Sequence, residues 1–75
     1  MDPTVAFGTV LRRVRKEAGL SQEQLGFEAG VERNYVSLIE RGINQPALKI
    51  IFRLAKALKM SPSELICLVE AEIQK

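Results

Sequence analysis

The 75-residue sequence predicts an all-α, five-helix domain in which the second and third helices form a helix-turn-helix, and three observations predict the helices. Apolar residues recur at three- and four-residue spacing along most of the chain, which is the period of an amphipathic helix. Capping residues, prolines and glycines bracket those periodic runs as start and stop signals. β-Branched residues never alternate with polar ones over a useful length, so strand signals are poor. No internal repeat, low-complexity stretch or linker divides the chain, and residues 1–75 read as a single domain. At this size folding buries roughly 60% of the unfolded surface, so the core must be compact. A composition of 47% hydrophobic and 27% charged residues suits a soluble globule and argues against disorder.

The first helix is expected from about Pro3 to Ala18. Asp2 can cap it, and Pro3 fits the first helical position. Phe7, Val10, Leu11 and Val14 make its apolar stripe, and Gly19 is a natural stop. Ser21-Gln22-Glu23-Gln24 reads as a capping box opening a short second helix to about Ala29. Gly30 ends that helix in a left-handed conformation that other residues resist. The third helix is expected from Arg33 to Arg41, stopped by Gly42. Its start is weakly marked, because Glu32 is a poor cap, although a carboxylate suits the positive end of the helix dipole. Ile43 to Pro46 form a loop. The fourth helix is expected from Ala47 to Leu58, with Leu48, Ile51, Phe52, Ala55 and Leu58 facing inward. Ser61-Pro62-Ser63-Glu64 is the best start signal in the chain, with a cap, a proline at the first position and a box-closing glutamate. It opens a fifth helix to about Ile73.

Composition also excludes. No apolar run approaches the roughly 20 residues that span a bilayer, and the first residues lack the pattern of a signal peptide. The expectation is a cytoplasmic protein with no membrane partner. One cysteine cannot form an internal disulfide, and Cys67 is expected as a small buried hydrophobe. With no histidine a zinc finger is excluded and the usual general base is missing. No paired carboxylates, metal ligands or nucleophile–base pair stand out, so no catalytic site, cofactor or metal is expected. Net charge is +2, but it is uneven: residues 1–61 carry ten Lys or Arg against six acids, while residues 62–75 carry Lys75 against Glu64, Glu70 and Glu72. A basic body with a mildly acidic tail suits a polyanion touched by the body only. Arg12, Arg13 and Lys16 read as solvated surface, while Arg41 and Lys49 could reach phosphates.

The informative stretch is Gln22 to Arg41. Counted from Gln22, apolar residues occupy the fourth, tenth, fifteenth and eighteenth places: Leu25, Val31, Val36 and Ile39. Small residues occupy the fifth, eighth and ninth: Gly26, Ala29 and Gly30. Two helices joined by a three- or four-residue turn must cross closely, so a small residue is needed where they touch. Gly26 supplies it and Gly30 supplies the turn. The apolar places seat the third helix on the domain, leaving Arg33, Asn34, Ser37 and Leu38 outward. A helix of this length is roughly 13 Å long, and the major groove of B-DNA is roughly 12 Å wide and admits one helix. Arg33 and Asn34 stand at its N-terminal end, where Arg can bond guanine and Asn adenine bidentately. Ser37, one turn on, reaches a base or a phosphate. Gln22, with the free backbone N–H groups beside it, suits a phosphate. Tyr35 stands over a phosphate or packs against the first helix.

The run LSQEQLGFEAGVERNYVSLIERGINQP resembles the phage-repressor-type (Xre/Cro-like) helix-turn-helix regulators of bacteria and phage. The likeness covers about residues 5 to 66, and its densest motifs are Leu20-Ser21-Gln22-Glu23, Ala29-Gly30-Val31 and Val36-Ser37-Leu38-Ile39-Glu40-Arg41-Gly42. The short length and Arg33-Asn34-Tyr35 also resemble the controller proteins of restriction–modification genes. The resemblance implies DNA contacts at Gln22, Arg33, Asn34 and Ser37, and backbone contacts from Asn44 and Gln45. It implies a structural ion pair between Arg15 and Glu40. Two residues depart from the pattern. Leu38 stands where relatives often carry a polar base-reading residue, so it packs on a thymine methyl or reads nothing. Ala47 replaces the usual serine cap of the fourth helix.

The fifth helix carries Leu65, Ile66, Leu68, Val69 and Ile73, more apolar surface than a terminal helix can bury on one small domain. Ile66, Val69 and Ile73, with Ile50 and Leu54, are expected to form a self-complementary homodimer patch. One recognition helix reads too few base pairs to define a genomic site. A two-fold pair about 34 Å apart reads a palindrome. The expectation is therefore a dimeric transcription regulator on an inverted-repeat operator in double-stranded DNA. It blocks RNA polymerase when bound over a promoter, or recruits it when bound just upstream. The rival from another class is a protein–protein adaptor or the antitoxin half of a toxin pair.

Overall fold

Asp2 accepts a hydrogen bond from the Thr4 backbone N–H at 2.7 Å and so starts the first helix, α1, Pro3–Glu17, in the computed structural model, which describes residues 1–75. Four further helices follow: α2 (Gln22–Ala29), α3 (Arg33–Glu40), α4 (Leu48–Ala57) and α5 (Pro62–Ile73). The boundaries follow the local signals. Ser21 with Gln24, and Ser61 with Glu64, form complete capping boxes at the starts of α2 and α5. Glu32 and Ala47 give no side-chain cap to α3 and α4. Gly30 ends α2 at φ 73°, a left-handed conformation that a Cβ would strain. No helix is long and apolar enough to cross a membrane.

The helices pack around one cluster of buried apolar residues. α1 lies on α3 and α5, α2 on α3 and α4, and α4 on α5. Leu11, Leu25, Ile39, Leu54, Leu65, Val10 and Val36 are its largest fully buried side chains. Burying a Leu or Val side chain is worth roughly 1.5–3 kcal/mol, so Val36 and Ile39 in this cluster hold α3 to the rest of the domain.

Four expectations are corrected by this packing. Leu54 is fully buried, so it offers no surface to a partner, and Val69 is buried except for an edge that lines a surface groove. Leu48 and Phe52 face outward, 70% and 54% exposed. Cys67 is exposed rather than buried. One geometry explains all four. The buried arc of α4 is centred on Leu54, Ala55 and Leu58, because α4 lies against α2 and α5 together. At about 100° per residue Phe52 falls on the far flank of that arc, while Leu48 lies on the Ala55 side but is the first residue of α4 and stays exposed at the helix end. On α5 the arc runs through Leu65, Val69 and Glu72 against α1, which turns Cys67 to the far side.

Candidate nucleic-acid interface

The turn between α2 and α3 is tight because Gly26 has no side chain. A methyl group there would lie 2.7 Å from the Val31 carbonyl oxygen and 3.3 Å from the Arg33 nitrogen. The Val31 N–H donates to the Gly26 carbonyl at 2.9 Å, closing the corner. Val36 and Ile39 are fully buried and fix the rotation of α3. Arg33 and Asn34 are consequently exposed at its N-terminal end, with Ser37 half-buried one turn on.

Gln22, Glu32, Arg33, Asn34 and Ser37 together line one polar hollow at the surface. A shallower hollow beside it is lined by Gly30, Val31, Glu32, Asn34, Tyr35 and Leu38. Arg33 takes part in none of the chain's ion pairs, so its guanidinium donors are free. The Arg33 and Asn34 backbone N–H groups point out of the uncapped helix end as further donors. Arg, Asn and Ser side chains with free N–H and O–H groups on one short helix match the hydrogen-bonding edges of base pairs. Tyr35 is half-buried and packs against the core, and Leu38 is half-buried beside it.

The platform beneath is charged and closed. The Arg15 Nε donates to Glu40 Oε2 at 2.6 Å and its Nη2 to Glu40 Oε1 at 3.0 Å, a bidentate pair between α1 and α3. The two side chains are 9% and 2% exposed. Arg15 Nη1 also donates to the Leu20 carbonyl at 2.8 Å, and Gln22 Nε2 donates to Glu40 Oε1 at 3.1 Å. No buried side-chain donor or acceptor is left without a partner. Such a pair adds little net stability over an apolar pair, but losing one member strands a buried charge.

Asn44 and Gln45 lie outside both hollows. Gln45 instead borders a groove on another face, where its Oε1 accepts from the Thr4 hydroxyl at 3.5 Å. That groove has a volume of 720 Å³, and its apolar wall is Phe7, Pro46, Ile51, Ile66, Val69 and Ile73. Ile66 is 44% exposed, and Ile50 and Ile73 are half-buried. Two features escape sequence reasoning. Arg13 donates to Glu72 Oε1 at 2.9 Å, with Lys75 Nζ 3.1 Å from the same oxygen, so Arg13 is a tie to α5 and not free surface. Gly8 faces the end of α3 so closely that a methyl group on it would lie 2.8 Å from the Glu40 carbonyl oxygen. A helix-interior glycine, which carries a cost of roughly 0.5–1 kcal/mol relative to alanine, was the available signal for the second.

A helix-turn-helix family model matches residues 11–65 of the chain. An uncharacterized HTH-type transcriptional regulator, y4dJ of Sinorhizobium fredii, is 36% identical over 66 residues, covering 88% of this chain and 86% of that protein. The control protein C.BamHI of Bacillus amyloliquefaciens is 39% identical over 61 residues, covering 80% and 75%. Among solved structures, the restriction–modification controller C.AhdI of Aeromonas hydrophila superposes with a TM-score of 0.80 at 47% identity, covering 83% of this chain and 94% of that one. The controller C.Esp1396I, solved as a tetramer with its natural 35-base-pair operator, superposes with a TM-score of 0.91 at 27% identity, covering 100% and 99%.

Proposed function

The chain belongs to the helix-turn-helix family of transcriptional regulators, and on that premise we propose that it binds an inverted-repeat operator in double-stranded DNA as a homodimer and controls restriction–modification genes. The observation that carries the reading is the hollow formed by Gln22, Arg33, Asn34 and Ser37. It presents free donors on a helix of eight residues, about 12 Å long, suited to a groove about 12 Å wide. Arg33 and Asn34 read base edges from the N-terminal end of α3, and Ser37 reaches a base or phosphate beyond them. Gln22 donates to a phosphate beside the start of α2.

The dimer surface is the groove wall of Ile51, Ile66 and Ile73 with the edge of Val69, extended by the half-buried Ile50, and not the fully buried Leu54. An isologous contact there doubles the reading length by pairing two recognition helices. The relatives named as controllers, one of them solved on its operator, support the choice of circuit. Occupancy sets the output: over a promoter the dimer excludes RNA polymerase, and just upstream it recruits it. Its place of action is the cytoplasm, where that DNA lies.

Selection of bound duplexes from a randomised pool, followed by sequencing, tests the reading. A palindromic consensus is the expected result. Affinity for it should fall with salt, at a log–log slope near −0.9 per neutralised phosphate. A pool that yields no consensus, or binding indifferent to salt, defeats the proposal.

A further inference from the structure

Glu40 sits at the last position of α3, about two turns beyond Arg33 on the same stripe of the helix, yet its side chain is 2% exposed. It nonetheless touches the proposed DNA face through one residue. Its Oε1 accepts at once from Arg15 Nη2 at 3.0 Å and from Gln22 Nε2 at 3.1 Å, while Oε2 takes Arg15 Nε at 2.6 Å. Gln22 is the first residue of α2 and lines the polar hollow with Arg33, Asn34 and Ser37. Ser21 caps the Gln24 backbone N–H, leaving the N–H groups of Gln22 and Glu23 free at the same helix end.

A glutamine amide has two faces of opposite hydrogen-bonding sense, and a half turn about its last bond exchanges them. A carboxylate paired to a guanidinium can only accept. Beside Glu40 the amide therefore turns its nitrogen inward, and one of its two N–H groups is consumed there. The second N–H stays free at the rim of the hollow. The Arg15 charge offsets that of Glu40, so the buried carboxylate does not repel an approaching phosphate.

We propose that Glu40 is a positioning residue for DNA binding: it acts through Gln22, selecting the amide orientation whose remaining N–H donates to a backbone phosphate. The proposal rests on the reading that Gln22 faces DNA. Without Glu40 the amide samples both orientations and loses the registration that a directional donor needs.

A double-mutant cycle on the duplex selected from the randomised pool tests it, with Glu40→Gln, Gln22→Ala and the combined variant. Glu40→Gln keeps the side-chain shape and one acceptor for Arg15 but can present an N–H to Gln22. It should weaken binding about tenfold in the presence of Gln22, the worth of one hydrogen bond to a charged group. In the Gln22→Ala background it should change binding less than about twofold, since the interaction it acts through is gone. Equal losses in both backgrounds mean that Glu40 only holds the fold, and they overturn the proposal. A Gln22→Ala variant that binds as tightly as the wild type overturns it while leaving the regulator reading intact. A wild type that binds no duplex overturns both. Should Glu40→Gln fail to fold, the wild type suffices. In its nitrogen-15 spectrum the Gln22 side-chain NH2 should show one proton shifted in the free protein and the other moving when the duplex is added. An NH2 pair that stays at the position of a solvated glutamine in both states overturns the assignment.

Discussion

Gly8 of α1 runs against the Ile39 carbonyl at the end of α3 so closely that a methyl group on it would overlap that oxygen and lie 2.8 Å from the Glu40 carbonyl oxygen. Helix α3 is thus held at its C-terminal end by backbone contact as well as by the Arg15–Glu40 pair. Gly8→Ala must push α1 off α3. It should destabilise the fold by about 1–3 kcal/mol, the usual range for overpacking. In a domain of this size each kcal/mol lowers Tm by roughly 4–8 °C, which thermal denaturation followed by circular dichroism would read.

Lys59, between α4 and α5, adopts φ 60°, the only left-handed non-glycine residue in the chain. That conformation is strained for a residue with a Cβ. Lys59→Gly should stabilise the protein by about 0.5–1 kcal/mol, the relief of strain being partly offset by the freer unfolded chain. A Tm that falls instead would show that the lysine side chain contributes more than its backbone strain costs.

Arg33→Ala should lose roughly 1–3 kcal/mol on the selected operator, with relaxed preference at a single base pair. Gel-shift titration against duplexes varied one position at a time measures both effects. Normal operator binding by the variant would show that the outward face has been assigned wrongly.

Ile66 and Leu54 should part company. Ile66 is 44% exposed and borders the groove, so Ile66→Asp should leave the fold intact and give a monomer in sedimentation at tens of micromolar. Leu54 is fully buried, and Leu54→Ala should cost about 2–5 kcal/mol of folding stability by opening a cavity. A wild type that sediments as a monomer at that concentration removes the dimer.

Acid should loosen α5. Hydrogen bonding first to Arg13, then to Lys75, holds the Glu72 carboxyl below its ordinary value of 4.5. The Ser61 backbone N–H, then its hydroxyl, does the same for Glu64. A depressed folded pKa means that the unfolded chain takes up protons first as pH falls. The stabilisation is therefore complete above about 4.5 and is lost as pH drops through the lowered folded values. Glu72→Gln should be less stable than the wild type at pH 7 and approach it at pH 3 in urea titrations. A constant gap between the two proteins across that range would show that ionisation of Glu72 contributes nothing.

The local grammar of this chain was legible without coordinates. Asp2, Ser21 and Ser61 as caps, Pro3 and Pro62 at first positions, and Gly30 as a left-handed stop placed the five helices to within a residue or so of where they lie. These signals act over three or four residues, so they are written where they operate. The α2–α3 unit was legible for the same reason, since its small residues and its turn are neighbours in sequence. What the tertiary structure alone decided is which flank of each helix another helix covers. Periodicity marks Leu48, Ile51, Phe52, Ala55 and Leu58 as the inward side of α4 and leaves Leu54 for a partner, but the crossing of α4 with α2 and α5 buries Leu54 and leaves Leu48 and Phe52 in solvent. The Arg13–Glu72 tie spans 59 residues and the Gln22–Glu40 bond spans 18. Contacts of that range arise only when distant helices are brought together, because a side chain's sequence neighbours do not determine what lies across from it.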